Sequence, residues 1–214
     1  MPATERVTLP TGGGDPPPSL VLGRLHELCG PERRTLGLML AGAVSGPVLW
    51  IASTAGSEKL HAPGMAAHLD PGRVTMVDCP RPEDVLWSAE ESLRQLASAT
   101  TGGVVVAELG KPPGLTPVRR LHLAAGGAAA RAHGPGVAPP RGLPLGLLVT
   151  PGDGGAAGVE SRWHMAACSG EVPGSDAWRL ERRRARGAGP ATWILQTCGS
   201  EPPLLRRVRS NRAP

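Results

Sequence analysis

The sequence predicts an α/β protein with a mostly parallel sheet, helices flanking that sheet, and antiparallel strands added near the C-terminus. Short apolar runs, typical of buried strands, alternate with helical segments up to residue 150. After a glycine-rich break at residues 151–158, three strand-like segments follow without helices between them. Alternating strands and helices favour parallel pairing, whereas consecutive strands favour an antiparallel meander. The length of 214 residues suits one domain.

The first half of the chain begins this alternation. Residues 1–20 contain Gly12-Gly13-Gly14 and Pro16-Pro17-Pro18, so we expect a flexible segment without regular structure. A strand, a helix, a strand, a short helix and a strand are predicted at residues 22–28, 32–44, 47–52, 63–69 and 73–77. The strand at 47–52 is a compact apolar run between turn residues, as a buried parallel strand requires.

The most distinct helix spans residues 82–98. Pro82 suits the first helical position, and Glu83 and Asp84 complement the positive end of the helix dipole. Apolar residues at helical spacing form one face: Val85, Leu86, Ala89, Leu93 and Leu96. A strand, a helix and a strand are predicted next at residues 104–109, 116–130 and 145–150. The late strands are predicted at 161–168, 177–185 and 191–196.

These elements predict one domain at residues 21–198, with a Gly/Pro-rich loop at 131–144 and a basic tail at 199–214. From Trp178 to Pro214 the chain has nine Arg and two Glu, a net charge of +7 compared with +5 for the whole chain. Such a segment attracts phosphate backbones or an acidic protein surface. A solvated tail without a partner is an equally good interpretation.

No sequence pattern points to a metal, a cofactor or a membrane. The cysteines at positions 29, 79, 168 and 198 form no C-x-x-C pair, and the six histidines are scattered. No run approaches the ~18 apolar residues of a membrane-spanning helix, and the first residues lack a secretory signal pattern. We therefore expect a cytoplasmic protein with reduced thiols and no metal, cofactor or membrane contact.

The turn between the first strand and the first helix is where an α/β domain of this order would bind phosphate. A working loop has the pattern G-x-x-x-x-G-K-[ST], in which amides and a lysine hold the phosphates. The residues at this position are Gly30, Pro31, Glu32, Arg33, Arg34 and Thr35. The second glycine and the lysine are missing, so nucleotide binding is not expected. Glu108 ends a strand where such folds place an acid that orients water or metal, and here we expect a structural role.

Several segments resemble known families. Residues 23–32, which end in Gly30-Pro31-Glu32, resemble the segment that enters the phosphate-binding loop of RecA. A second resemblance is carried by GPVLW at 46–50, LHAPG at 60–64, LDPGR at 69–73, DVLWSAEESLR at 84–94, RRLHLAA at 119–125, SRWH at 161–164 and WRLERRRARG at 178–187. In their order and spacing over residues 20–197, these segments resemble the ImuA family of bacterial damage-inducible mutagenesis proteins. Residues 131–144 depart from the family as an inserted loop.

The resemblance implies a RecA-like fold with a defunct nucleotide site and no enzymatic activity. ImuA-like proteins act in the SOS response with ImuB, an inactive relative of Y-family polymerases, and with an error-prone replicative-type polymerase in translesion synthesis. A RecA relative could also dock on RecA itself. The implied partners are therefore these three proteins, and DNA is a further partner if the basic C-terminal region binds it.

Two alternatives remain open at this point. The first is a residual ATPase of RecA type that uses Arg33 or Arg34 in place of the lysine. The second is a damage-induced cell-division inhibitor, since some such regulators share distant RecA-like ancestry.

The partner or DNA surface is predicted near the C-terminus. Alternation along the strand predicts that one face of residues 179–186 is exposed and basic. The candidate residues are Trp178, Arg182, Arg184, Arg186, Arg206, Arg207 and Arg209. Trp163, Trp178 and Trp193 lie one on each late strand, and they either pack in a small core or contribute to a partner surface.

Overall fold

A computed structural model of the chain describes residues 5–13, 15, 17–54, 59–98, 102–131, 142–170, 175–197 and 203–208. Its strands are β1 (Arg6–Thr8), β2 (Ser19–Val21), β3 (Leu25–Cys29), β4 (Val48–Ser53), β5 (Val74–Cys79), β6 (Val104–Glu108), β7 (Leu145–Val149), β8 (Ser161–Ala167), β9 (Ala177–Ala185), β10 (Ala191–Gln196) and β11 (Leu204–Val208). The helices are α1 (Arg33–Gly42), α2 (Ala62–Ala66), α3 (Pro82–Ser98) and α4 (Leu115–Arg131).

Nine of the described strands form one mixed sheet in the order β11-β10-β9-β8-β3-β7-β6-β4-β5. The strands from β8 to β5 in this order pair in parallel. The strands β8, β9, β10 and β11 pair antiparallel. The predicted α/β class, with a mostly parallel sheet and C-terminal antiparallel strands, is therefore confirmed.

One face of the sheet is covered by α1 and by the small antiparallel pair of β1 and β2. Leu36 and Leu40 of α1 pack with Trp50 and Val106 of the sheet in one buried cluster, which also contains Val7 of β1. Burying a side chain of this size stabilises the fold by about 1.5–3 kcal/mol. This cluster extends under the late strands.

The opposite face is covered by α3 and α4. Val85 and Leu93 of α3 pack with Val118 and Leu121 of α4 over the other side of the sheet. The bounds of α3 are those that the sequence predicts, because its proline start and its apolar spacing are local signals. None of the helices in the described ranges is both long and apolar enough to cross a membrane.

The prediction that residues 1–20 lack regular structure is wrong for the described part of that segment. Val7 pairs with Leu20 in the β1–β2 register. Leu9, just beyond β1, is 2% exposed in the main core. Burial of these apolar side chains stabilises the segment by more free energy than is lost as conformational entropy when the neighbouring glycines and prolines become ordered.

The predicted basic tail also contains regular structure. β11 pairs with β10, and Leu205 is buried. The N-terminal segment covers the outer edge of β11: Leu205 N donates to Gly13 O at 3.3 Å, and Arg207 N donates to Asp15 Oδ2 at 2.8 Å. A covered edge strand is protected from pairing with another chain. Residues 132–141 of the predicted Gly/Pro-rich loop lie outside the described residues.

Candidate functional site

The turn from Gly30 to Thr35 leaves the carboxyl end of β3 and enters α1, as predicted. Its backbone amides donate to carbonyls of the same protein: Gly30 N to Gly152 O at 2.8 Å, and Glu32 N to Met165 O at 3.0 Å. Pro31 has no N–H to offer. A phosphate-binding loop needs several free amides that point at one anion. In this turn, the amides of Gly30 and Glu32 are already used.

Gly30 is the residue that permits this close approach. Its φ of +89° lies in the left-handed region that favours glycine. A Cβ at this position would lie 2.5 Å from Met165 O and 2.8 Å from the Nε2 of His164. The glycine therefore brings the turn against β8, and the space beside it is filled by protein.

The polar side chains of the turn also bond locally. Arg33 Nη1 donates to Gly30 O at 3.1 Å. The Thr35 hydroxyl donates to Glu32 Oε2 at 2.8 Å, so the hydroxyl is held by a carboxylate. Arg33 and Thr35 therefore each bond to a residue three positions earlier in the chain.

Glu108 ends β6 on the same side of the sheet and is bound by two partners. Arg34 Nε and Nη2 both lie 2.7 Å from Glu108 Oε1, and Trp50 Nε1 donates to Oε2 at 3.0 Å. The side chains of Arg34 and Glu108 are only 23% and 11% exposed. Both carboxylate oxygens of Glu108 therefore accept from protein donors, and the structural role expected for this residue stays a prediction.

Glu27 is the centre of a buried polar network that the sequence did not predict. Glu27 of β3 is 0% exposed. Its carboxylate accepts from the Thr150 hydroxyl at 2.8 Å, from Gly155 N at 2.8 Å and from Ala156 N at 3.0 Å, and it pairs with Arg162 Nε. All these donors lie far from Glu27 in the sequence, so no local sequence pattern identifies them as its partners. Glu27 fixes the 151–158 turn against β3 and β8, since a buried carboxylate needs such partners.

A second buried network joins β3 to β8. Trp163 Nε1 donates to Ser161 Oγ at 2.6 Å, and Ser161 Oγ lies 2.6 Å from His26 Nδ1. The other ring nitrogen of His26 lies 2.9 Å from Val21 O, which can only accept, so Nε2 carries the proton. Burial lowers the pKa of His26 to about 4. Both ring nitrogens of His26 are thus bonded, and the ring is 1% exposed, so the Ser–His contact is part of the packing between β3 and β8.

The predicted basic surface is divided by a β-bulge. β8 and β9 shift register between Arg162 and Trp163, so Trp163 lies opposite Arg182 while Arg162 lies opposite Arg184. The extra residue in β9 breaks the alternation of side chains. The predicted face over residues 179–186 is corrected in its membership, because Arg182 and Arg184 lie on opposite faces of the sheet, whereas Arg179, Arg184 and Arg186 are exposed.

Arg182 lies on the face that carries α1, where it stacks over two tryptophans. Its guanidinium carbon is 5.8 Å from the ring centre of Trp163 and 5.5 Å from that of Trp193. Arg207 of β11 lies 5.9 Å from the Trp193 ring. Burial, together with the nearby charges of Arg207 and Arg6, lowers the pKa of Arg182. We call Arg182 and Arg207 the stacked arginine cluster.

The other predicted surface residues lie apart from this cluster. Arg186 Nε lies 3.7 Å from Glu160. Arg206 lies opposite Ile194, and Trp178 is half-buried against the core. Arg209 lies outside the described residues. The structure therefore brings Arg182 together with Arg207 and separates both from Arg184 and Arg186.

The described part of the chain contains no group of three or more His, Cys, Asp or Glu side chains that could hold a metal ion. Burial raises the pKa of the Cys29 thiol to about 11, so this cysteine stays protonated at neutral pH. Comparison of the chain with protein-family models and with curated proteins gave no match in either case.

Proposed function

We propose that this protein is a non-catalytic accessory of damage-induced, error-prone translesion DNA synthesis, with a RecA-like fold of the ImuA type. It acts in the cytoplasm by binding other proteins. The observation that carries the proposal is the state of the Gly30–Thr35 turn, whose Gly30 and Glu32 amides bond to protein carbonyls. A turn whose amides are already bonded to protein favours a role in binding other proteins over a role in nucleotide hydrolysis.

The position of that turn supports the comparison with RecA. Ligands of open α/β sheets bind outside the carboxyl ends of the strands. Gly30 follows β3 and Glu108 ends β6, and Arg34 of α1 connects the two positions through its contact with Glu108. The place where a nucleotide-binding relative would hold phosphate and metal is thus closed by an ion pair.

The same contacts argue against the residual ATPase. That alternative needs Arg33 or Arg34 to replace the missing lysine. Arg33 donates to Gly30 O, and Arg34 is engaged by Glu108, so both cations point at protein groups. Binding of nucleotide would have to break at least one of these contacts.

The proposed partners are an ImuB-like inactive Y-family polymerase, an error-prone replicative-type polymerase and RecA. The test is a tagged full-length chain, recovered from cells after DNA damage, together with mutation counts in a deletion strain. We expect capture of the ImuB-like protein and loss of damage-induced mutations. Reintroduced wild-type protein and a Glu108→Gln variant of equal abundance should both restore mutagenesis, because no catalytic acid is required.

An unchanged mutation frequency in the deletion strain would contradict the proposal. Filamentation of cells on overexpression without DNA damage would instead support the cell-division inhibitor. Restoration by wild-type protein but not by Glu108→Gln at equal abundance would support the ATPase.

A further inference from the structure

We propose that a groove beside α4 binds an acidic, leucine-bearing segment of a partner protein, an inference that rests on the partner-binding function proposed above. The groove has a volume of about 420 Å³ and lies between the first half of α4, the start of β3 and the turns next to β8 and β9. The residues that matter for binding are Arg24, Leu115, Arg119, Leu123, Glu160 and Arg186.

His122 forms the floor of the groove and is held there by hydrogen bonds at both ring nitrogens. Leu25 N donates to Nδ1 at 3.3 Å, so Nδ1 is the acceptor and Nε2 carries the proton. Nε2 then donates to Gly158 O at 3.1 Å. Burial lowers the pKa of His122, which keeps the ring uncharged at neutral pH. The histidine thus connects α4 to the start of β3 and to the turn that contains Gly158.

The groove is positively charged. Arg24 and Arg186 both lie near Glu160, at 4.0 and 3.7 Å, so one carboxylate serves two cations. Arg119 is exposed and forms no ion pair with any residue in the described ranges. Three arginines against one carboxylate leave two positive charges for a ligand, since His122 is neutral. Acidic side chains complement this surface.

The groove also presents leucines to solvent. Leu123 is 75% exposed and Leu115 is 41% exposed. Leu115, Arg119, His122 and Leu123 recur at helical spacing, so they form one stripe along α4. A stripe that joins apolar side chains to arginines is a feature of surfaces that bind amphipathic segments.

These features favour a protein ligand over nucleic acid. Single-stranded DNA binds to grooves in which aromatic side chains stack on bases, and among the described residues that line this groove His122 has the only aromatic ring. Glu160 repels any anion placed beside it, and the backbone of a nucleic acid carries a phosphate at every step, whereas a peptide can place its glutamates next to Arg119 and away from Glu160. The two leucines gain stability only from an apolar partner.

The experiment is fluorescence anisotropy on the full chain with a short fluorescein-labelled helical peptide. The peptide carries two leucines four positions apart, flanked by glutamates. Two control peptides replace the glutamates by glutamine or the leucines by alanine. We expect the first peptide to bind with micromolar affinity that weakens as salt is raised, and each control peptide to bind about tenfold more weakly.

Protein variants locate the site. Arg119→Glu and Leu123→Ala change exposed side chains, so the fold should persist, which circular dichroism checks. Each should weaken binding about tenfold. Lys111→Glu is the matched control: it makes the same change in net charge in an exposed loop outside the groove and should bind as wild type does.

Three outcomes would overturn the inference. Failure of the glutamate–leucine peptide to bind is the first, and equal weakening by Lys111→Glu and Arg119→Glu is the second. The third is tighter binding of labelled oligothymidylate that depends on Arg119 but not on Leu123, which would make the groove a nucleic-acid site. Any of these could occur while the deletion strain still loses mutagenesis, so failure here is distinguishable from failure of the proposed function.

Discussion

The guanidinium of Arg34 lies 2.7 Å from Glu108 Oε1, while the indole of Trp50 donates to the other oxygen of the same carboxylate. This arrangement joins the first turn of α1 to the end of β6. It occupies the cation and the acid that a nucleotide site would need. The contact therefore has a stabilising role that can be measured apart from any binding.

Replacing Arg34 by alanine should destabilise the protein by about 2 kcal/mol, because a largely buried carboxylate loses a charged donor. Urea unfolding followed by circular dichroism measures this change. Lys59→Ala is the matched control, since its pair with Asp78 is mostly exposed. Its effect should stay within the roughly 0.5 kcal/mol typical of exposed pairs. Equal effects of the two substitutions would contradict a structural role for the Arg34–Glu108 contact.

Gly30→Ala tests the closed turn. The new methyl would clash with Met165 O, and the residue would also have to hold a positive φ. Gly187→Ala shares the positive φ, at +76°, but has nothing within 4 Å of its Cβ position. We expect Gly187→Ala to cost about 1–2 kcal/mol of unfolding free energy. Gly30→Ala should cost about 1–3 kcal/mol more, from the clash. Similar losses of unfolding free energy in the two variants would contradict the close contact between Gly30 and Met165.

The buried His26 predicts a specific pH dependence. Its pKa is about 4 in the folded protein, because burial disfavours the charged ring, compared with 6.5 in the unfolded chain. Between pH 6.5 and 4 the unfolded chain takes up a proton that folded His26 does not, so stability falls as the pH falls. The loss from His26 amounts to about 3 kcal/mol.

Urea unfolding at several pH values measures this slope, with His26→Gln as the comparison. The variant should show a shallower fall between pH 6.5 and 4, although His68, His122 and His164 have pKa values lowered by burial and retain part of it. Equal slopes in wild type and variant would contradict the assignment.

Local signals made much of this fold predictable. Helix α3 has the predicted bounds because Pro82 and the apolar spacing act within the segment itself. The strands β6 and β7 are compact apolar runs, and both were predicted within one residue. Turn residues on either side of these strands indicate where each strand begins and ends.

The errors and omissions come from contacts between distant segments. Glu27 is a plain acidic residue in the sequence, and only the folded chain brings Thr150, Gly155 and Arg162 to it. The strands β1 and β2 are not predicted from the sequence, because glycines and prolines dominate the composition of that segment. Alternation in β9 failed at a bulge that depends on its pairing with β8.

The stacked arginine cluster predicts how DNA would bind if it is a partner. Replacing Arg182 and Arg207 by glutamine should weaken binding of single-stranded DNA and flatten its salt dependence by about 0.7 per lost phosphate contact. Arg81→Gln is the control, because Arg81 pairs with Asp84 on the distant helix α3. Removal of the C-terminal residues would be a less suitable test of DNA binding, because it would also remove the buried Leu205 of β11. An unchanged salt slope would exclude the cluster as the DNA contact.

We expect the Gly30–Thr35 turn not to hold a triphosphate. Equilibrium dialysis of the full chain with labelled ATP and magnesium measures this. We expect no saturable binding at micromolar nucleotide, because the Gly30 and Glu32 amides and both arginines are bonded to protein groups. Saturable micromolar binding that Arg33→Ala or Arg34→Ala abolishes would show instead that the turn does hold the nucleotide.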